Sequence, residues 1–341
     1  MEVEKSYRDM VIGADVGGTN IILNVIGFAG GLPEIVLSER KKTSSVSQLS
    51  NFVNAFLDYA GEQGFQPVEG CFAVAGRIED RNDSPRVEMT NVDLVVDSVD
   101  LERNTPLESV MLINDFEAIS YALNILDPDD LIILNRGKSV DKGVRAVIGA
   151  GTGLGKSILH FDRYLDAYVP LPSEGGHSDL PLLSGDELKL AEFIKKENNL
   201  RYQICYEDVL SGKGLERIYQ YLNQTGFPEQ PGALSAQEIS QTRETNSCSK
   251  ESFQWFIRFY ARCARNFVLD SLATGGLYIG GGIAVKNADS FTGFMEEFVR
   301  NETYHKVLKN VPVQIISNYD ISSVGAAYAM ILQKESRSEG S

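Results

Sequence analysis

The segment Val11-Ile12-Gly13-Ala14 recurs as Val147-Ile148-Gly149-Ala150, and each copy continues into a Gly/Thr turn and an apolar strand, Ile21-Ile22-Leu23 and Ser157-Ile158-Leu159. A strand, a glycine turn and a second strand written twice in one chain imply two related hairpins within an α/β alternation. At 341 residues the chain is long enough for two domains, each with its own core. Around the first copy, MVIGADV, NIILNVIGF and EIVLSER read as short strands of an antiparallel opening that turns at Gly17-Gly18. Leu49, Phe52, Val53, Phe56, Leu57 and Ala60 then recur at helical spacing behind a Ser47 cap, and Gly61 and Gly64 close that helix. Further strands are expected at Gly70–Ala75, Val110–Ile113 and Arg145–Gly149, with a helix from Asp115 to Leu126 halted by Pro128. In the second half, Phe253, Phe256, Ile257, Tyr260, Ala264, Phe267, Val268 and Ser271 predict a long helix ending at Gly275-Gly276. A strand LYIG, the turn Gly280-Gly281-Gly282 and a last helix from Ser322 to Lys334 follow, and the tail beyond is expected to fray.

Charge limits the partners. Asp and Glu total 47 against 32 Lys and Arg, a formal charge of -15, so a broad basic surface for nucleic acid is excluded. An anionic ligand must then be held locally, by N–H groups at glycine turns or by a bound cation, and 31 glycines are present to build such turns. Cys71, Cys205, Cys248 and Cys263 stand far apart, without a C-x-x-C pair, which argues against a disulfide framework or a cysteine zinc cluster and for a reducing cytoplasm. The opening MEVEKSYRDM is charged where a secretory leader is apolar, and no apolar run approaches the ~18 residues that cross a bilayer, so no membrane partner is expected.

The second copy, GAGTGLGKS, invites two readings that its neighbours oppose. A dinucleotide fingerprint needs G-x-G-x-x-G, yet Gly149, Gly151, Gly153 and Gly155 alternate and Leu154 occupies the third glycine position. Gly155-Lys156-Ser157 matches the end of a P-loop, but Ala150 replaces its first glycine, and Ser157-Ile158-Leu159-His160-Phe161 reads as strand where a P-loop opens a helix. A strand–turn–strand fits better. Such a turn either binds phosphate through converging N–H groups or is simply a tight hairpin.

Five motifs carry a resemblance: DVGGTN at 15–20, INDFEA at 113–118, GAGTGLG at 149–155, SEGGH at 173–177 and EDVLSGKGL at 207–215. In order and spacing, from Val11 to Ala327, they resemble the bacterial-type ATP-dependent glucokinases, members of the sugar-kinase, heat-shock-ATPase and actin superfamily. The resemblance implies an α/β fold of two ribonuclease-H-like (actin-like ATPase) domains with a central substrate cleft. The first domain is expected at 1–124 plus 318–341 and the second at 125–317.

Phosphoryl transfer to an alcohol needs an oriented hydroxyl, charge neutralisation around the phosphates and a base at the attacking oxygen. Asp115, where a strand hands over to a helix, is the candidate base, the alternative being an N-cap carboxylate. Asn114 has donor and acceptor atoms for a sugar hydroxyl, although turn formation also explains an Asn there. Glu174 and His177 bracket a Gly-Gly turn and suit a polyol; a loop histidine or a metal ligand are the alternatives for His177. No cysteine cluster follows it, so no zinc site is expected. Glu207 is either a first-turn helix acid or, as the resemblance implies, a ligand at the sugar's anomeric end. The resemblance also implies sugar binding by Asn91 and Asn114, and Mg²⁺ placement through water by Asp15. Gly17, Gly18, Thr19 and Asn20 on one side and Gly151, Thr152 and Gly153 on the other are expected around the ATP phosphates, and Gly281 and Gly282 are either helix-entry glycines or, as the resemblance implies, leave space for adenosine.

Two departures touch the sugar side. Leu94 stands where the family commonly has tryptophan three residues after the Asn of a Thr-Asn pair, and Arg77 follows Ala75-Gly76 where proline is usual. Hydroxyl contacts, and not the fold, set the preferred hexose. The expected activity is ATP-dependent phosphorylation of a hexose, glucose above others, by a cytoplasmic homodimer. The rival readings are a non-catalytic sugar-binding regulator on the same fold and a P-loop NTPase.

Overall fold

This computed structural model describes residues 7–81, 84–89, 92–227, 232–318 and 320–339. The chain divides into two compact units, Met1–Asp127 with Asp162–Pro170 and Asn318–Ser341, and Pro128–Phe161 with Leu171–Ser317. The expected division at 124/125 therefore falls at Asp127/Pro128, and the excursion Asp162–Pro170 joins the first unit.

In the first unit, β1 (Asp9–Val16), β2 (Asn20–Ala29), β3 (Leu32–Lys42), β4 (Glu69–Val74) and β8 (Ser109–Asn114) form a sheet in the order β3-β2-β1-β4-β8. The β1–β2–β3 meander is antiparallel, whereas β4 lies parallel to β1 and β8 parallel to β4. A smaller sheet joins β5 (Glu79–Arg81), β6 (Ser84–Glu88) and β7 (Val95–Asp97). Strand alternation sends side chains to opposite faces, and both faces here are covered, which is why β1 and β4 read as unbroken apolar runs. Ile12, Ala14, Val16, Phe72 and Val74 pack with Phe52, Val53 and Phe56 of α1 (Leu49–Glu62) and Leu101 of α2 (Ser98–Asn104). Val11, Cys71 and Ala73 pack with Ala118 of α3 (Asp115–Ala122) and with Ala326, Ala327 and Met330 of the last helix.

The second unit repeats that strand order. Its sheet runs β12-β11-β10-β13-β14-β9, built from β9 (Leu131–Asn135), β10 (Arg145–Ala150), β11 (Leu154–Asp162), β12 (Ala167–Ser173, of which Leu171–Ser173 belongs to this unit), β13 (Gly276–Gly280) and β14 (Val313–Ile316). The hairpin β10–β11 is antiparallel, and β13 lies parallel to β10, as β4 lies to β1. Helices α4 (Gly185–Glu197), α5 (Gly212–Gly226), α6 (Ala236–Thr242), α7 (Ser247–Ser271), α8 (Gly282–Lys286), α9 (Phe294–Phe298) and α10 (His305–Asn310) complete it, and α11 (Ile321–Glu339) returns to the first unit. Tyr260 of α7 packs edge-on against Phe256 and Phe294. Beside this aromatic core, Arg262 donates to both carboxylate oxygens of Glu187 at 2.9 and 3.0 Å, so the buried charges of α7 and α4 satisfy one another. No helix among the described residues is long and apolar enough to cross a membrane.

Four local expectations need correction. The α1 N-cap is Gln48, without a side-chain cap bond, and not Ser47. Helix α3 ends at Ala122, four residues short of Leu126, because tighter i→i+3 bonds take over and the Asn124 amide exchanges two hydrogen bonds with the Tyr168 backbone. Helix α7 is stopped by Leu272 in the left-handed region, φ 48°, before either glycine is reached. The tail remains helical through Glu339, where fraying was expected.

Candidate active site

In the first unit the parallel strands β1, β4 and β8 end at one edge of the sheet, the edge where open α/β sheets present ligand-binding groups. Asp15 is the penultimate residue of β1, and Asn114 and Asp115 mark the end of β8 and the start of α3. The two strands flank β4, two strand spacings or roughly 10 Å apart. Asp15 is pushed up to about 7, chiefly by burial and then by the negative charges of Asp115 and Asp320, with Arg40 opposing. Arg40 also lies 3.8 Å from Asp320. Sequence motifs pointed to neither Arg40 nor Asp320, because both come from segments distant in the chain.

Asn114, not Asp115, caps α3: its side chain accepts from Phe116 N–H at 2.9 Å and donates to the Gly76 carbonyl at 3.5 Å. Asp115 occupies the first helical position, where its Oδ1 also accepts from Phe116 N–H at 2.9 Å. A second acid follows on the same turn, Glu117, which burial holds above the ordinary carboxylate range against a partly compensating Asn114 N–H. Asn91 lies outside the described residues. Leu94 is buried in the core of this unit, while Arg77 is exposed.

The turn between β1 and β2 is held closed by its own backbone. Gly17 N–H donates to Asn20 O at 3.0 Å, and Thr43 donates through N–H to Thr19 O and through Oγ1 to Gly17 O. The Gly17 N–H is thus spent inside the hairpin, which leaves Gly18 and Thr19 at its exposed tip as the donors available to an anion. The second hairpin behaves alike: Gly151 N–H donates to Gly153 O at 2.8 Å, leaving Thr152 and Gly153.

In the second unit the β10 and β13 ends lie side by side, with Gly149 opposite Gly280. Gly281 has φ +88°, and a Cβ there would sit 2.6 Å from the Ala150 carbonyl, so only glycine permits this approach. It is also the residue that caps α8, so the turn is a helix entry as well as a space beside the hairpin. The Tyr260 hydroxyl, which burial holds strongly protonated, accepts from Ala150 N–H at 3.1 Å and fixes the hairpin from beneath.

Glu207 is the unforeseen link. Its Oε2 accepts from Leu154 N–H at 2.8 Å, and a Cβ on Gly153 would lie 2.5 Å from the same oxygen, so the acid fills the space that this glycine leaves. Gly212 N–H reaches Gly151 O at 2.9 Å, tying the start of α5 to the same turn. Glu174 and His177 project from the neighbouring turn with 84% and 60% of their side chains exposed and 4.0 Å between Oε2 and Nε2. Their turn is joined to the Glu207 segment by Tyr206 N–H to Ser178 O at 3.0 Å and by the Asp179–Cys205 bridge. Lys156 is not at a phosphate loop: it lies within β11, 6% exposed, so the P-loop geometry is absent from this segment.

A family model described as Glucokinase matches residues 12–333. The chain belongs to the glucokinase family. The glucokinase of Nostoc punctiforme is 30% identical over 345 residues, covering 93% of this chain and 98% of its own. Among solved structures, the chain is similar to a glucokinase from an Antarctic psychrotroph, with 26% identity, a TM-score of 0.81, and coverage of 95% of this chain and 99% of that one. A glucokinase from Streptomyces griseus of the ROK family, solved with glucose and AMPPNP, shares the fold at 18% identity, with a TM-score of 0.62 and 94% and 99% coverage. The fold is the actin-like ATPase fold of these sugar kinases, and the activity of the family is sugar phosphorylation.

Proposed function

We propose that the chain transfers the γ-phosphoryl group of ATP to the 6-hydroxyl of a hexose, glucose above others, with Asp115 as general base. The observation that carries this reading is the pair Asp15 and Asp115 at the ends of β1 and β8, close enough for one charge to raise the other's affinity for a proton. Asp115 accepts the hydroxyl proton as the new P–O bond forms and the bond to the ADP oxygen breaks. Peptide N–H groups at Gly18, Thr19, Thr152 and Gly153 donate to phosphate oxygens. Asp15 suits a divalent cation, since positive charge beside a carboxylate crowded by Asp115 and Asp320 relieves the repulsion. Mg²⁺ keeps several of its waters and takes phosphate oxygens, so this single acid suffices to place it through water. Bound there, Mg²⁺ would neutralise charge on the phosphates.

We assign the hexose hydroxyls to Asn114, Glu174, His177 and Glu207, and to Asn91 on its motif, with Gly281 and Gly282 beside the adenosine. The glucose and AMPPNP bound by the Streptomyces griseus relative support these ligand classes. A cytoplasmic homodimer belongs to the same proposal. A coupled assay across a hexose panel, with ATP and polyphosphate as alternative donors, tests it. The expected result is ATP-dependent turnover with glucose as the best hexose; hexose binding without ADP release identifies a sugar-binding regulator instead.

A further inference from the structure

Lys156 occupies a position that strand alternation reserves for an apolar residue. It shares its face of β11 with Leu154 and Ile158, which pack against the core of the second unit. Its side chain is buried, yet among the described residues no carboxylate pairs with it. Its ammonium lies instead 4.6 Å from the ring centroid of Tyr206 and 5.2 Å from that of Phe267. It also lies close enough to the Cys263 thiol to oppose the burial that pushes that thiol up to about 11. Placing an ammonium among aromatic rings and a thiol is costly compared with an apolar side chain of the same length, so stability alone does not account for it.

Its neighbours suggest a role. A Cβ on Gly175 would lie 3.1 Å from Lys156 Cδ and 3.5 Å from Nζ, so the lysine packs directly against the turn that carries Glu174 and His177. The aromatic ring it faces belongs to Tyr206, the residue before Glu207. One buried side chain therefore touches both segments that present the three acid and imidazole groups assigned to the hexose in this unit. The Tyr206 hydroxyl, in turn, accepts from Asn266 at 2.8 Å, so its ring is fixed at both ends.

We propose that Lys156 is a positioning residue for hexose binding, its charge clamping the Glu174–His177 turn and the Tyr206–Glu207 segment in register through the Tyr206 ring. This rests on the assignment of those residues to the hexose. Cation–π attraction is strongest when the pair is desolvated, as here. The Lys156→Met variant keeps the length and apolar packing of the stem and removes only the charge. It is expected to raise the hexose KM about tenfold while leaving kcat and the ATP KM within about twofold, the size of one desolvated cation–π contact. Lys156→Arg, which restores a cation, is expected to recover most of the affinity. Tyr206→Leu should raise the hexose KM similarly, and the double variant Lys156→Met/Tyr206→Leu should be no worse than either alone, because the two act as one unit. An unchanged hexose KM in Lys156→Met, equal losses for hexose and ATP, or fully additive effects would overturn the proposal. Absence of hexose turnover in the wild-type enzyme would instead overturn the hexose assignment on which it rests.

Discussion

Asp15→Asn separates the charge of this residue from its shape. In the folded chain the carboxyl is pushed from 3.8 to about 7 by burial and by Asp115, so the folded state holds this proton more tightly than the unfolded state does. That preference favours folding in full below about pH 4 and is lost as pH rises through about 7. At pH 8 the wild-type carboxylate is ionised against its surroundings, at a cost of up to about 4 kcal/mol for a shift of roughly three units. An amide escapes that cost. Urea unfolding of the ligand-free protein at pH 4.5 and pH 8 is therefore expected to show Asp15→Asn gaining about 2–4 kcal/mol over wild type at pH 8 and little at pH 4.5. The same variant should lose the stabilisation that Mg²⁺ with a non-hydrolysable ATP analogue confers on wild type, since the amide brings no charge to the cation. A gain independent of pH, or a variant less stable than wild type at pH 8, would refute the reasoning that burial and Asp115 crowd this acid.

Three further outcomes follow from the same geometry. Mg²⁺–nucleotide affinity should rise with pH through about 7, the value to which Asp15 is pushed, and isothermal titration at pH 6 and 8 reads it directly. Glu174→Ala, His177→Ala and Glu207→Ala should weaken hexose binding by about 1–3 kcal/mol each and leave nucleotide binding nearly unchanged for the two exposed residues. Glu207→Ala should in addition loosen the nucleotide turn, because it removes the acceptor for Leu154 N–H, and hydrogen exchange at that amide is the check. Gly281→Ala should destabilise the protein and weaken ATP, since its Cβ would meet the Ala150 carbonyl at 2.6 Å; wild-type thermal stability in that variant would contradict the close approach.

The hairpins were legible because glycine turns and strand alternation are local signals, and the repeated Val-Ile-Gly-Ala announced the second copy of the sheet. Which N–H groups remain available was not legible, since Gly17 and Gly151 lose theirs to bonds that exist only once each hairpin closes. Asn114 and Asp115 are both good cap residues, so sequence alone could not decide which caps α3. Arg40 and Asp320, which set the charge around Asp15, are brought there by β3 and the approach to α11, far away in sequence. Lys156 was readable in part: the Gly-Lys-Ser string suggests phosphate, but the alternation through Leu154 and Ile158 already turns it inward.

The central claim is that Asp115 accepts the proton of the attacking hydroxyl, and single-turnover phosphorylation of glucose by Asp115→Asn tests it most directly. Since Asn114 already caps α3, the substitution should leave folding and glucose affinity near wild type. It should also relieve the repulsion on Asp15, so the nucleotide site is not weakened by the change. The expected result is a chemical step slower by ~10²-fold or more with the glucose KM little changed, because the amide keeps a hydrogen bond to the hydroxyl but cannot take its proton. A chemical step at the wild-type rate would contradict the account and leave Asp115 as part of the helix start alone.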